Sequence, residues 1–220
     1  MELPLTASQY RWFELCGVFF CLPLFTYLFK DYLSSWLFPA LLILMIVCTF
    51  LLLTDPHFKR FRLTSLGQFS QVKHRLFTGF FIGALFSAML FGLANQTLWF
   101  AMPKNETTQW LILLIAYPLL SVLPQELIFR SYFFHRYKHI LPSKNVRIFL
   151  SALSFALAHC VYDNWIAIAL SFAGGLLFSY TYAHSRSLMV CVLEHSLWGL
   201  WMFTIGVGSY LDSGMRITTS

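Results

Sequence analysis

SWLFPALLILMIVCTFLLL, residues 35–53, runs for 19 positions without a charged side chain. A run of about 18 apolar residues marks a segment able to cross a bilayer as a helix. Working outward, six more stretches share this character: 12–29, 76–100, 107–134, 146–160, 165–183 and 188–207. The 220-residue chain is 58% hydrophobic and only 11% charged, whereas a soluble domain carries about 25% charged residues. The reading is an all-α polytopic transmembrane helix bundle, one integral membrane domain over 1–220, with seven to eight spans. The eighth arises within 107–134. Its ~28 residues would reach about 42 Å against a ~30 Å hydrocarbon core. Pro118 and Pro124 are natural break points there.

Charge gives orientation. Lys59, Arg60, Arg62, Lys73 and Arg75 fall in one loop region, Arg136, Lys138, Lys144 and Arg147 in another, and Arg186 before the last span. The alternate loops are poorer in basic residues, and the positive-inside rule then places the N-terminus and the basic loops in the cytoplasm. The net charge of +6 reads as topology and anionic-lipid contact, not as nucleic-acid binding. The start, MELPLTASQYRWFELC, has no basic n-region and no clear cleavage site, so the first span reads as retained. Cys16, Cys21, Cys48, Cys160 and Cys191 are odd in number, lack CxxC spacing, and read as small apolar side chains. The basic and aromatic segment 57–75 suits either a short interfacial amphipathic helix or a polar loop. Trp36, Trp99, Trp110 and Trp165 near span ends read as an aromatic belt. Ala152, Ser154, Ala156 and Ala158 in the fifth span and Ser171, Gly174 and Gly175 in the sixth mark a close helix crossing. The polar tail after Ser209 is expected to fray.

Ionisable groups at membrane depth are costly and face the protein interior. Glu126 and Arg130 lie in the fourth span, His159 in the fifth, Glu194 and His195 in the seventh. Counted from the basic ends, Glu126, His159 and His195 sit roughly 15, 18 and 14 Å deep along their helices. A shared site is the expectation. Glu126 and Arg130, at i and i+4, lie on one helix face and can pair. A break at Pro124 would set Glu126 in the first turn of a new helix. Phe155 can pack on His159 at the same spacing, while Glu194 points about 100° away from His195. Glu14 and Arg11 are close enough to the interface to snorkel.

A glutamate that takes a proton from water, with histidines that orient it and stabilise an oxyanion, is a minimal apparatus for amide hydrolysis. The same Glu/His/His set can instead hold Zn²⁺ with an open position, although no HExxH is present. A polar network that only fastens three helices is the third reading.

The order of these residues also carries a family resemblance. Gln125-Glu126-Leu127-Ile128-Phe129-Arg130 resembles the EExxxR motif of the CAAX protease and bacteriocin-processing family. Phe155 to His159 matches its FxxxH motif, and His195 with Gly199 resembles its third, a His followed four residues later by Asn or Asp. The likeness covers about 109–206. It implies an intramembrane endopeptidase with Glu126, His159 and His195 catalytic, and with Gln125, Arg130, Phe155 and Gly199 in support. A metal-free glutamate mechanism is the reading taken, with no cofactor. Two departures stand out: Gln125 where the first glutamate is expected, and Gly199 where Asn or Asp is expected. They favour the alternative, a catalytically inactive relative acting as an immunity, scaffold or partner-binding protein. The expected partners are a membrane-associated protein or peptide substrate and the lipid bilayer, and the expected location is a bacterial inner membrane. Transport is disfavoured, because no inverted repeat is visible.

Overall fold

The computed structural model describes residues 6–210. The tail from 211 onward, with its expected fraying, lies outside the described residues. Seven helices are long and apolar enough to cross a membrane: span 1 (Ala7–Leu28), span 2 (Lys30–Thr54), span 3 (Lys73–Ala94), span 4 (Thr107–Arg136), span 5 (Lys144–Tyr162), span 6 (Trp165–Ser185) and span 7 (Leu188–Ile205). Among the described residues there is no strand. The chain is an integral membrane protein of all-α, polytopic architecture.

The eighth span does not form. Span 4 stays continuous through both prolines, and its backbone widens into π-type turns at Tyr117–Val122 and Leu127–Tyr132. A proline removes one N–H and crowds the preceding turn, and a wider turn relieves both without breaking the rod. Glu126 therefore lies within a continuous helix rather than at a new N-terminus, and the expected helix-end stabilisation of its charge does not arise. The second wide turn is pinned from outside. Ser151 Oγ of span 5 donates to the Phe129 carbonyl at 2.6 Å, and Ser179 Oγ of span 6 donates to Ser151 Oγ at 3.0 Å.

Spans 5 and 6 approach where the small residues predict. A Cβ on Gly175 would stand 2.9 Å from Ala152 Cα, so the backbones touch. Gly175→Leu is expected to force the pair apart and destabilise the bundle by at least about 1–3 kcal/mol, the usual cost of overpacking. Reversible unfolding in mixed micelles measures this.

Spans 2 and 3 present Ile43, Ile46, Phe50, Phe81, Leu85 and Met89 outward, as a lipid-facing surface requires. Trp36, Trp99 and Trp165 are exposed, while Trp110 is turned inward and donates from Nε1 to Thr204 Oγ1 at 3.1 Å. The cysteines are all free thiols. Span 1 joins the core through Phe19, whose ring meets Phe129, Phe133 and Tyr137 at 5.1–5.7 Å between centroids.

Glu14 does not snorkel. It accepts from Tyr132 Oη at 2.6 Å, Tyr137 Oη at 3.0 Å and Arg136 Nη2 at 2.6 Å, fastening span 1 to the end of span 4. Arg11 is also engaged, donating to the Arg136 carbonyl.

The segment between spans 2 and 3 is a loop with two short 3₁₀ turns, Arg60–Leu63 and Phe69–Gln71, rather than an amphipathic helix. Gly67 explains this. It sits at φ +54°, against the Ser185 carbonyl, where a Cβ would collide. The loop is stapled to the turn between spans 6 and 7 by Gln68 N–H to Ser185 O and Ser187 Oγ to Ser65 O. At its start, the hydrogen bond from His135 holds the Asp55 carboxyl down at about 2. Because that value lies below the ordinary one, the contact stabilises above about pH 4 and is lost as pH falls toward 2.

Candidate active site

Glu126 and Arg130 are both completely shielded from solvent. Arg130 Nε lies 3.2 Å from Glu126 Oε2, as their i,i+4 spacing predicts. The guanidinium also sits over the rings of Phe155, at 4.6 Å, and Phe178, at 5.7 Å. Two aromatic faces and one carboxylate together make a buried cation tolerable.

The other Glu126 oxygen turns to span 7. Oε1 is 2.8 Å from His195 Nδ1. A carboxylate oxygen accepts, so Nδ1 donates, and in the neutral ring Nε2 is left as acceptor. Tyr117, from the first wide turn of span 4, donates its O–H to that nitrogen, the hydroxyl 3.3 Å from Nε2. The imidazole is further clamped by Phe178, stacked at 4.5 Å and 15°, and by Phe155 edge-on at 5.6 Å. Both ring nitrogens and one ring face of His195 are thus committed.

Tyr117 reaches His195 only because residue 199 is glycine. A Cβ on Gly199 would overlap the Tyr117 hydroxyl and ring. One turn above His195, the space that a motif Asn or Asp would occupy is filled by a phenol from span 4. Tyr117 was not apparent from the sequence, where it is one aromatic among many. The signal that could have found it is Gly199 itself, since a missing side chain beside a functional histidine leaves room for another.

His159 arrives differently. Its Nδ1 donates to the Phe155 carbonyl at 2.7 Å, and its ring packs on Phe155 at 4.5 Å. Phe155 therefore separates and aligns the two imidazoles, and His159 makes no hydrogen bond to Glu126 or His195. Gln125 does not face the pair through a hydrogen bond either; its Nε2 donates to Ser121 Oγ at 2.9 Å. Glu194 is turned away, as its 100° offset requires, and binds Arg75 Nη2 at 2.8 Å. That ion pair, with Thr181, joins spans 3, 6 and 7.

Among the described residues, no three His, Cys, Asp or Glu side chains come together as metal ligands need. Glu126 and His195 spend Oε1 and Nδ1 on each other, and His159 spends Nδ1 on a carbonyl.

No curated protein and no solved structure matches the chain. Residues 107–201 match the family described as type II CAAX prenyl endopeptidase Rce1-like. That stretch begins with span 4, contains the Glu126–His195 contact, and takes in Tyr117, Arg130, Phe155, His159 and Gly199. Over that stretch the chain is similar to the Rce1-like membrane endopeptidases, in line with the CAAX protease and bacteriocin-processing likeness of its motifs.

Proposed function

We propose that the protein is an intramembrane endopeptidase that hydrolyses a peptide bond in a membrane-associated protein or peptide. The observation that carries this reading is the buried 2.8 Å contact between Glu126 and His195, which joins spans 4 and 7 inside the matched segment. Arg130 compensates the charge of Glu126, and Glu126 fixes the orientation of His195. Glu126 Oε1 is bonded to His195 and the charge on Oε2 is held by the Arg130 guanidinium 3.2 Å away, so the proton of the attacking water is assigned to His159. Its Nδ1–H is committed to a carbonyl, which leaves the Nε2 lone pair as the base. Water oxygen bonds to the peptide carbonyl carbon while its proton moves to Nε2. As the C–N bond breaks, the same proton passes to the departing nitrogen. As the oxyanion develops, the Tyr117 O–H turns from His195 Nε2 to donate to it, and His195 serves to position the phenol. The chemistry is metal-free, and the basic loops and the N-terminus face the cytoplasm of a bacterial inner membrane.

His159→Ala is expected to lower cleavage by about 10²–10⁴-fold, the range for loss of a positioned acid or base. Purified protein in nanodiscs, assayed with a prenylated peptide by mass spectrometry, checks this. Unchanged turnover would remove His159 from the mechanism.

One observation favours a second reading, a non-catalytic relative that binds a partner in the membrane. The Gln125 amide, bonded to Ser121, takes up no proton where the family pattern has a glutamate. If His159→Ala restores a deletion phenotype as fully as wild type does, binding rather than hydrolysis is the function.

A further inference from the structure

At the basic end of the bundle the loops and span ends enclose a pocket of about 330 Å³. Lys59 and Arg62 come from the loop after span 2, Lys138 from the turn between spans 4 and 5, Lys144 and Arg147 from the start of span 5 and Arg186 from the turn after span 6. Tyr182, 3% exposed, forms part of its wall, its ring packed on Phe134 at 5.3 Å. No carboxylate lines it.

Four cations outside the pocket are paired with carboxylates. Lys30 pairs with Asp163, Arg75 with Glu194, Arg130 with Glu126 and Arg136 with Glu14. Among the described residues, none of the six pocket cations has a carboxylate partner. The nearby Asp55 is already committed, to His135 Nε2 at 2.8 Å and to His57. Arg147 is held in place by donating from Nη1 to the carbonyls of Leu141 and Pro142, while its Nε is buried with no protein acceptor. The Arg62 Nε is likewise buried without an acceptor. Arg186 occupies a left-handed backbone position, φ +55°, where glycine or asparagine is the usual choice.

Six concentrated charges, two unsatisfied guanidinium N–H groups and no counter-carboxylate are the chemistry of a phosphate site, because guanidinium recognises phosphate oxygens in a fixed fork. We propose that this pocket binds a phosphate-bearing anion, either the headgroup of an anionic phospholipid or free phosphate. Its place at the ends of four spans sets it at the membrane surface, where basic pockets meet lipid headgroups. The site is independent of the peptidase reading.

The test is binding to the intact protein in detergent by native mass spectrometry and thermal shift. The arms are phosphatidylglycerol, phosphatidylcholine and inorganic phosphate. Phosphatidylglycerol is expected to bind and raise the melting temperature, with phosphatidylcholine much weaker. Lys138→Ala/Lys144→Ala removes two exposed charges without touching the packed core and is expected to weaken the anion by roughly thirty-fold. Lys73→Ala, a basic residue outside the pocket, should leave it unchanged. Protection by inorganic phosphate alone, lost in the same double variant, would identify the free anion as the ligand. Equal binding of phosphatidylglycerol and phosphatidylcholine with no effect of phosphate, or equal affinity in wild type and the double variant, would overturn the proposal.

Discussion

Glu126→Gln is expected to abolish cleavage and to destabilise the bundle by about 3–5 kcal/mol, the cost of leaving a buried charge without its partner. The side chain keeps its shape, so packing is nearly unchanged. What is lost is the negative charge between Arg130, at 3.2 Å, and His195, at 2.8 Å. Arg130 is then an uncompensated cation at zero exposure, with only the faces of Phe155 and Phe178 around it. The double variant Glu126→Gln/Arg130→Met separates the two effects. It should recover most of the stability, because an apolar side chain of similar length replaces the stranded charge, but it should recover no activity. Unfolding midpoints in mixed micelles, read beside peptide cleavage, give both quantities. If Glu126→Gln is as stable as wild type, the pair does not carry the charge balance described above.

The second large effect is expected at Gly199. Gly199→Ala adds one methyl group, and that methyl falls on the Tyr117 hydroxyl and ring. Tyr117 must move, and its contact with His195 Nε2 is broken. Cleavage should fall by about 10²-fold or more, the usual loss when a donor to a developing oxyanion is removed. Tyr117→Phe reaches the same result by a gentler route. It keeps the ring against Phe203, at 5.3 Å between centroids, and deletes only the hydroxyl. Its stability cost should be about 0.5–1.5 kcal/mol, that of one hydrogen bond. Tyr117→Ala/Gly199→Asn restores the usual motif residue in the space vacated by the phenol, and is expected to regain activity over Tyr117→Ala alone. Equal activity of wild type and Tyr117→Phe would show that the hydroxyl is not used.

The parts of the fold that could be read in advance are those set by local chemistry. An uncharged run such as 35–53 has one stable solution in lipid, because only a helix satisfies its own backbone. The Glu126–Arg130 contact follows from helical spacing, and the turning away of Glu194 follows from the same geometry. The meeting of Glu126 with His195 was foreshadowed only by depth, since both lie at similar heights on different spans. What could not be read is what depends on neighbours. Pro118 and Pro124 look like breaks, but span 4 absorbs them as wide turns, and the second is held by Ser151 from span 5. Glu14 looks like an interfacial charge until Tyr132, Arg136 and Tyr137 close around it. Segment 57–75 has the composition of an interfacial helix, yet Gly67 must pass under the Ser185 carbonyl with a positive φ. Tyr117 belongs to the same class: its role is set by an empty position 82 residues later in the chain.

The most direct measurement of the central claim is cleavage of a prenylated peptide by the purified protein in nanodiscs, with chelator present throughout. Wild type, Glu126→Gln/Arg130→Met, His159→Ala and His195→Ala are compared after each is shown to be folded. The account predicts turnover by wild type under chelator and its loss in all three variants. Wild-type cleavage that persists undiminished in the three variants would contradict it.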